Sequence, residues 1–304
     1  MADAELRERP DEQREELLRY WGQEIKFPIC ILKEDNDMTK TGWNHWRTHL
    51  CWLPAALAIL FFTGAVPAAE INYGAAIDAA GRQRMLSQRI VKAYCQIGLK
   101  VVPEVSRSQL TGAVRRFDAQ LVELARITPN AATREAFARL SKSWRPFRGI
   151  ALGPVGPNGA RALATRSEAV LGAAHELVLV LQEAAGTPQA RLVNIAGRER
   201  MLSQRLAKIY MLRAYGVDSP AIREDMATTS NEFAGALATL RSAPENTPVI
   251  QRELDAVALQ WEWFKSALAL QGAESYVYVV ADASESILNS MDLITAKYAE
   301  LARP

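Results

Sequence analysis

The sequence predicts an all-α protein made of two tandem up-down four-helix bundles related by internal duplication. Three observations carry the prediction. Ala, Leu, Glu, Gln and Arg dominate a chain of 304 residues, 49% of them apolar, and apolar positions recur every three or four residues between Pro and Gly breakers. No alternating strand pattern runs through residues 70–304. The segment INYGAAIDAAGRQRMLSQRIVKAY (71–94) recurs as ARLVNIAGRERMLSQRLAKIY (190–210), an offset of 116 positions from Gly81 to Gly197.

The repeat extends well past this motif. Phe117 matches Phe233, Leu121 matches Leu237 and Leu124 matches Leu240; after a slip of one residue, Trp144 matches Trp261, Phe147 matches Phe264, Ser167-Glu168 matches Ser284-Glu285 and Leu171 matches Leu288. Helices are expected near 72–101, 104–128, 130–150 and 158–185 in the first copy (residues 70–186). In the second copy (residues 187–304) they are expected near 189–216, 218–241, 247–270 and 273–302. Pro103, Thr128-Pro129-Asn130, the Gly153–Pro157 stretch and Gly186-Thr187-Pro188 punctuate the first copy, and Pro220 falls in a first helical turn where its missing N–H costs little.

Ahead of the repeat, residues 50–69 read LCWLPAALAILFFTGAVPAA, an apolar core preceded by Lys40, Arg47 and His49 and followed by small residues. Residues 38–69 have the layout of a secretory signal cleaved after Ala68 or Ala69; an uncleaved anchor is the alternative, since the length just suffices to cross a bilayer. A periplasmic location follows in either case, membrane-anchored in the second. Residues 1–37 are highly charged and fit poorly before a signal, so translation is expected to start at Met38; a native peptide from within 1–37 contradicts this.

Composition excludes several classes. A formal charge of +2, with no basic run interleaved with aromatics, argues against nucleic-acid binding. Cys30, Cys51 and Cys95 have no metal-ligand spacing, and only Cys95 follows the apolar segment. No metal and no cofactor is expected, and no enzyme: residues 70–304 hold one histidine, His175, with Asp292 at its repeat position, and no nucleophile-base pair, paired catalytic carboxylates or phosphate loop. His175 reads as a structural or surface residue rather than a ligand.

On a helical wheel, Ala79, Leu86, Ile90, Ala93 and Ile97 form one stripe facing a core, repeated by Leu202, Leu206 and Ile209. The opposite face carries Ile77, Ala80, Gly81, Arg84, Ser87, Gln88 and Val91, repeated as Val193, Ala196, Gly197, Arg200, Ser203, Gln204 and Ala207. A solvated face would be long, charged and variable between copies; this one is small and nearly unchanged, which suits the close approach of another helix. Gly81 and Gly197 argue the same, since glycine inside a helix costs about 1 kcal/mol against alanine. The short Gly186–Pro188 link lets the second bundle start beside the first and parallel to it, so Arg84 and Arg200 are expected to meet across an internal pseudo-twofold axis. Two facing guanidiniums repel unless an anion lies between them, and each offers a planar fork of donors suited to an oxyanion. The alternative is that both pair with carboxylates of their own bundles. Arg82, Arg89, Arg198 and Arg205 flank the core stripe and read as structural ion-pair donors, with Glu168 and Glu285 as partners; Lys92 and Lys208 read as solvated. Trp261, Trp263, Tyr276 and Tyr278 could form a partner surface, though packing is the preferred reading.

The nonapeptides GRQRMLSQR and GRERMLSQR, preceded by Ile-Asp-Ala-Ala and Val-Asn-Ile-Ala, resemble the PilJ/NarX-like sensor module. That module is the extracytoplasmic N-terminal domain of nitrate and nitrite sensor kinases and of a type IV pilus chemotaxis transducer. The resemblance is specific over about twenty residues twice and looser over both four-helix units. It implies a periplasmic helical bundle in which Arg84 and Arg200 hold the position of the anion-binding arginine. Gln83 and Glu199 stand where an apolar residue is expected before Arg-Met in the nitrate kinases, which separates ligand identity from fold. The sensors also continue into a second membrane helix and signalling domains, whereas this sequence stops at Pro304.

The expected function is a periplasmic sensor-type protein binding a small oxyanion, nitrate or nitrite first, between the two motif helices. Its ligand-binding residues are expected to be Arg84, Arg200, Gly81, Gly197, Ser87, Ser203, Gln88 and Gln204. The alternative is a ligand-free envelope protein engaging a membrane sensor, pilus component or enzyme. A pseudo-dimer within one chain, or a homodimer, is expected as the assembly.

Overall fold

The computed structural model describes residues 71–270 and 274–302. The expected signal or anchor, the proposed start at Met38 and residues 1–37 lie outside them. Eight helices follow in order: α1 Tyr73–Gly98, α2 Pro103–Ala125, α3 Ala131–Ala151, α4 Pro157–Ala185, α5 Pro188–Ala214, α6 Pro220–Arg241, α7 Pro248–Ala269 and α8 Glu274–Leu301. The architecture is all-α, with four helices in each copy and no strand among the described residues. None of these helices is long and apolar enough to cross a membrane.

Helix starts are set by short side chains and proline. Asn72, Thr187, Ser219 and Thr247 each accept a hydrogen bond from a first-turn backbone N–H, and Asn130 with Thr133 forms a reciprocal capping box on α3. Pro103, Pro157, Pro188, Pro220 and Pro248 occupy first turns, where no backbone donor is lost. The motif helices end slightly earlier than the periodicity predicts, at Gly98 and Ala214. Both close the same way: Val101 N–H donates to Gln96 O at 2.9 Å and Val217 N–H to Leu212 O at 2.8 Å. Those bonds need a left-handed residue just before them, Lys100 at φ 59° in one copy and Gly216 at φ 81° in the other.

The motif helices α1 and α5 pack along each other at the centre of the molecule. Helices α2 and α4 flank α1, α6 and α8 flank α5, and α3 and α7 pack on α4 and α8. α1 and α5 run parallel: Arg84 reaches Asn194 in their first halves, and Gly98 meets Tyr215 at their far ends. Both faces of α1 are therefore covered. Leu86, Ile90 and Ala93 are buried, and so are Ile77, Ala80, Gly81, Ser87 and Val91 on the face opposite. One continuous apolar core spans both copies. It includes two repeated aromatic clusters, Phe117 stacked on Trp144 at 3.6 Å and Phe233 on Trp261 at 4.4 Å between ring centroids.

Each motif helix also pins the loop across its own bundle with a tyrosine. Tyr94 donates to Pro154 O at 2.6 Å and accepts from Gly156 N–H at 3.1 Å; Tyr210 donates to Leu270 O at 3.0 Å. The aromatic surface divides. Trp261 is core, while Trp263 on α7 is 72% exposed and Tyr278 on α8 is 48% exposed, so packing explains the first and not the other two.

Candidate functional site

Gly81 and Gly197 open the space into which both motif arginines turn. A methyl carbon placed on Gly197 would lie 3.2 Å from Arg200 Nη2 and 3.3 Å from Arg84 Nη2; on Gly81 the distances are 3.4 and 3.5 Å. The two guanidiniums thus converge on one glycine-lined gap between α1 and α5. Both arginines are almost wholly buried.

Their partners differ. Arg200 donates from Nη2 to Asp78 Oδ1 and from Nη1 to Asp292 Oδ1, each at 2.6 Å. Burial alone would lower the Arg200 pKa, but the two carboxylates outweigh it and raise it. Asp78 comes from the opposite copy and Asp292 from α8, so Arg200 is neutralised where it stands. Arg84 finds no carboxylate within ion-pair distance among the described residues. It donates from Nη1 to Asn194 Oδ1 at 2.9 Å and to His175 Nδ1 at 3.3 Å, and from Nη2 to Asn194 O at 3.2 Å. Asn194 is the repeat equivalent of Asp78, and His175 of Asp292. The pseudo-twofold axis therefore relates two arginines but not their counter-charges.

The electrostatic result is a buried cation without a counter-ion. Burial, then the nearby Arg200 and Arg198, pull the Arg84 pKa down to about 9, so it stays charged at neutral pH. His175 is held below its ordinary pKa by burial and by Arg84 and Arg198. Because a guanidinium only donates, Nδ1 of His175 must accept, which puts the imidazole proton on Nε2. Arg84 and His175 face a cavity of about 430 Å³ bounded by α4, α5 and α6. Arg198 and Arg205 also line it but are paired, Arg198 with Glu232 at 2.8 Å and Arg205 with Glu168 at 2.8 Å and Asp225 at 3.0 Å.

The other predicted site residues lie in the same interface and point their polar atoms elsewhere. Ser87 donates to Arg84 O at 2.7 Å and Ser203 to Arg200 O at 2.9 Å, both bonds within their own helices. Gln88 donates to Ser87 Oγ at 2.9 Å, and Gln204 to Ser284 O at 2.9 Å. Of the eight, Arg84 alone combines a buried charge with a cavity wall. The predicted structural role of the flanking arginines is what the geometry gives: Arg82 bridges Asp78 and Asp292, and Arg89 pairs with Glu285.

Lys92 and Lys208 are not solvated. Lys92 is fully buried and reaches Glu285 at 2.5 Å and Ser284 at 3.1 Å; Lys208 is nearly so and reaches Glu168 at 2.8 Å. Each bond joins one copy to the other. The flanks that carry them, which a lone bundle would leave wet, are covered by the last helix of the other copy. His175, read from the sequence as structural or surface, stands beside Arg84. The available signal was the exchange of Asp292 for His175 together with that of Asp78 for Asn194 between copies.

Cys95 is buried and free, and burial pushes its thiol up to about 12, so it is inert at neutral pH. Glu199, matched by Gln83 in the first copy, is buried with neither carboxylate oxygen hydrogen-bonded. Among the described residues no group of three or more His, Cys, Asp or Glu side chains converges as a metal site would require.

The fold and its paired central helices define a four-helix module, present twice. The family model for the type IV pili methyl-accepting chemotaxis transducer N-terminal region, PilJ, matches residues 70–174 and again 184–283. Those segments together make up more than half of the chain, and the chain belongs to the PilJ family. No curated protein and no solved structure matches it.

Proposed function

We propose that this chain is a ligand-binding component of a sensor system outside the cytoplasmic membrane, and that it takes one small anion at Arg84. The single observation carrying the reading is the broken symmetry of the arginine pair. Arg200 has two carboxylates at 2.6 Å, whereas Arg84, equally buried, has an asparagine and a histidine in their places. A buried charge left without a counter-ion is costly, and a bound anion would remove that cost. The family resemblance makes nitrate and nitrite the first anions to try. The periplasmic location rests on the sequence of residues 38–69.

The test is thermal unfolding of the full chain in millimolar nitrate, nitrite, formate, sulfate, phosphate and chloride, for the native protein and for Arg84→Gln. A ligand that binds only the folded state raises the melting point in proportion to its affinity. A rise with at least one of these anions, lost in Arg84→Gln, is the expected result.

A second reading, a ligand-free interaction protein of the envelope, draws on Leu259 and Trp263. They lie one turn apart on α7 and are 69% and 72% exposed. It predicts no thermal response to any anion, together with recovery of a specific envelope partner that is lost in Trp263→Ser.

A further inference from the structure

We infer that the anion is the carboxylate of a short unbranched organic acid, its head at Arg84 and His175 and its apolar body along the groove between α4, α5 and α6. The inference rests on the anion reading above and names the ligand class for that same site.

The groove offers more room than an inorganic oxyanion takes. One water occupies roughly 30 Å³ of liquid, and a planar four-atom anion takes on the order of twice that. The cavity measures about 430 Å³. Beyond Arg84 and His175 its wall includes an apolar strip, Leu171 of α4 with Met201 and Leu202 of α5, set among ion-paired side chains and the hydroxyls of Thr228 and Thr229 on α6. Gly172, beside Leu171, adds no side chain. This apolar strip suits methylene groups and is of no use to a bare oxyanion.

The charges around the groove specify one negative group and no positive one. Glu232 is taken by Arg198, Glu168 by Arg205 and Lys208, and Asp225 by Arg205. The α-ammonium of an amino acid would sit next to its carboxylate head, beside the Arg84 guanidinium, and the like charges disfavour amino acids of the same length. A second carboxylate would meet only arginines already paired. On the wall of the groove, Arg84 supplies the unbalanced positive charge and His175 an Nε2–H donor. One carboxylate head can use both.

The experiment is calorimetric titration of the full chain with the sodium salts of nitrate, formate, acetate, propionate and butyrate and with L-alanine, repeated on Gly172→Leu. Gly172 lines the groove and a Cβ built on it meets no atom within 4 Å, so a leucine there narrows the groove without a clash at its Cβ. Affinity is expected to rise about fourfold per methylene from formate to butyrate, from the free energy of burying each one. L-alanine should bind more weakly than propionate. Gly172→Leu should abolish the gain with chain length and keep formate binding. Nitrate binding as tightly as butyrate, or a chain-length gain that survives in Gly172→Leu, overturns the inference and leaves the anion site standing. Binding of none of these ligands, formate and nitrate included, overturns both.

Discussion

Asp78 of the first copy holds Arg200 of the second at 2.6 Å, deep between the two motif helices. The bond crosses the pseudo-twofold axis, and its symmetry mate is the neutral contact of Asn194 with Arg84. Asp78 therefore serves two purposes, tying the copies together and neutralising one of two symmetry-related arginines.

The two arginines should respond oppositely to removal. Arg200→Met takes from Asp78 and Asp292, both partly buried, the more deeply buried of the two cations they share and leaves them Arg82, and should cost about 2 kcal/mol of stability. Arg84→Met removes a buried charge that has no counter-ion, and should be neutral to within about 1 kcal/mol or stabilising. Denaturant unfolding of both variants, without added anions, reads this directly. Equal losses would mean that Arg84 is as firmly neutralised as Arg200.

The lysine pairs that join the copies form a second symmetric lock. Glu285→Ala strands Lys92, which is fully buried, and should cost about 3 kcal/mol. Glu168→Ala should cost less, because Glu168 is 46% exposed and water can reach Lys208 once the carboxylate is gone. Chemical denaturation midpoints rank the two.

Stability should fall on both sides of mildly acidic pH. Burial by itself would raise Asp78, Glu168 and Glu285, but their arginine and lysine partners outweigh it and hold each below its ordinary value. Their contribution is complete above the unfolded values of 3.8 to 4.5 and is lost as pH drops through the folded ones. Glu199 works in the other direction. Burial raises it well above 4.5 and the charge of Arg198 offsets only part of this, so the folded chain keeps a proton that the unfolded chain releases, and stability declines as pH climbs from 4.5 towards the folded value. Glu199→Gln should flatten the upper limb and leave the lower one unchanged. Melting points across pH 3 to 9 test this, and an unaltered upper limb in the variant contradicts it.

Lys100 pays the steric cost of a left-handed residue that Gly216 avoids in the other copy. Lys100→Gly should stabilise the chain by about 1 kcal/mol, since an L-side chain costs roughly that in this region. No change in the unfolding midpoint would show that the α1–α2 turn relaxes at no cost.

Much of this was legible in the sequence. Every helix was, because periodicity between proline and glycine breakers is local information. So was the meeting of Arg84 and Arg200, because Gly81 and Gly197 inside helices require a close neighbour and the Gly186–Pro188 link leaves room for a parallel start. The division of labour between the arginines was not, since it depends on partners 92 and 122 positions from Arg200, which only packing brings into place. The buried lysines were missed for a related reason: a hydrophobic pattern marks a residue as polar and cannot say that a carboxylate from the other copy will meet it inside.

The most direct measurement is titration of nitrate and of propionate into the native chain and into Asn194→Asp/His175→Asp, which gives Arg84 the same two carboxylates that Arg200 has. Both ligands occupy one site in the native protein if either binds. The account predicts that the double variant melts at a higher temperature and binds neither. Anion binding that persists in the double variant would contradict it, because Arg84 would then be neutralised and the anion would have to be held elsewhere.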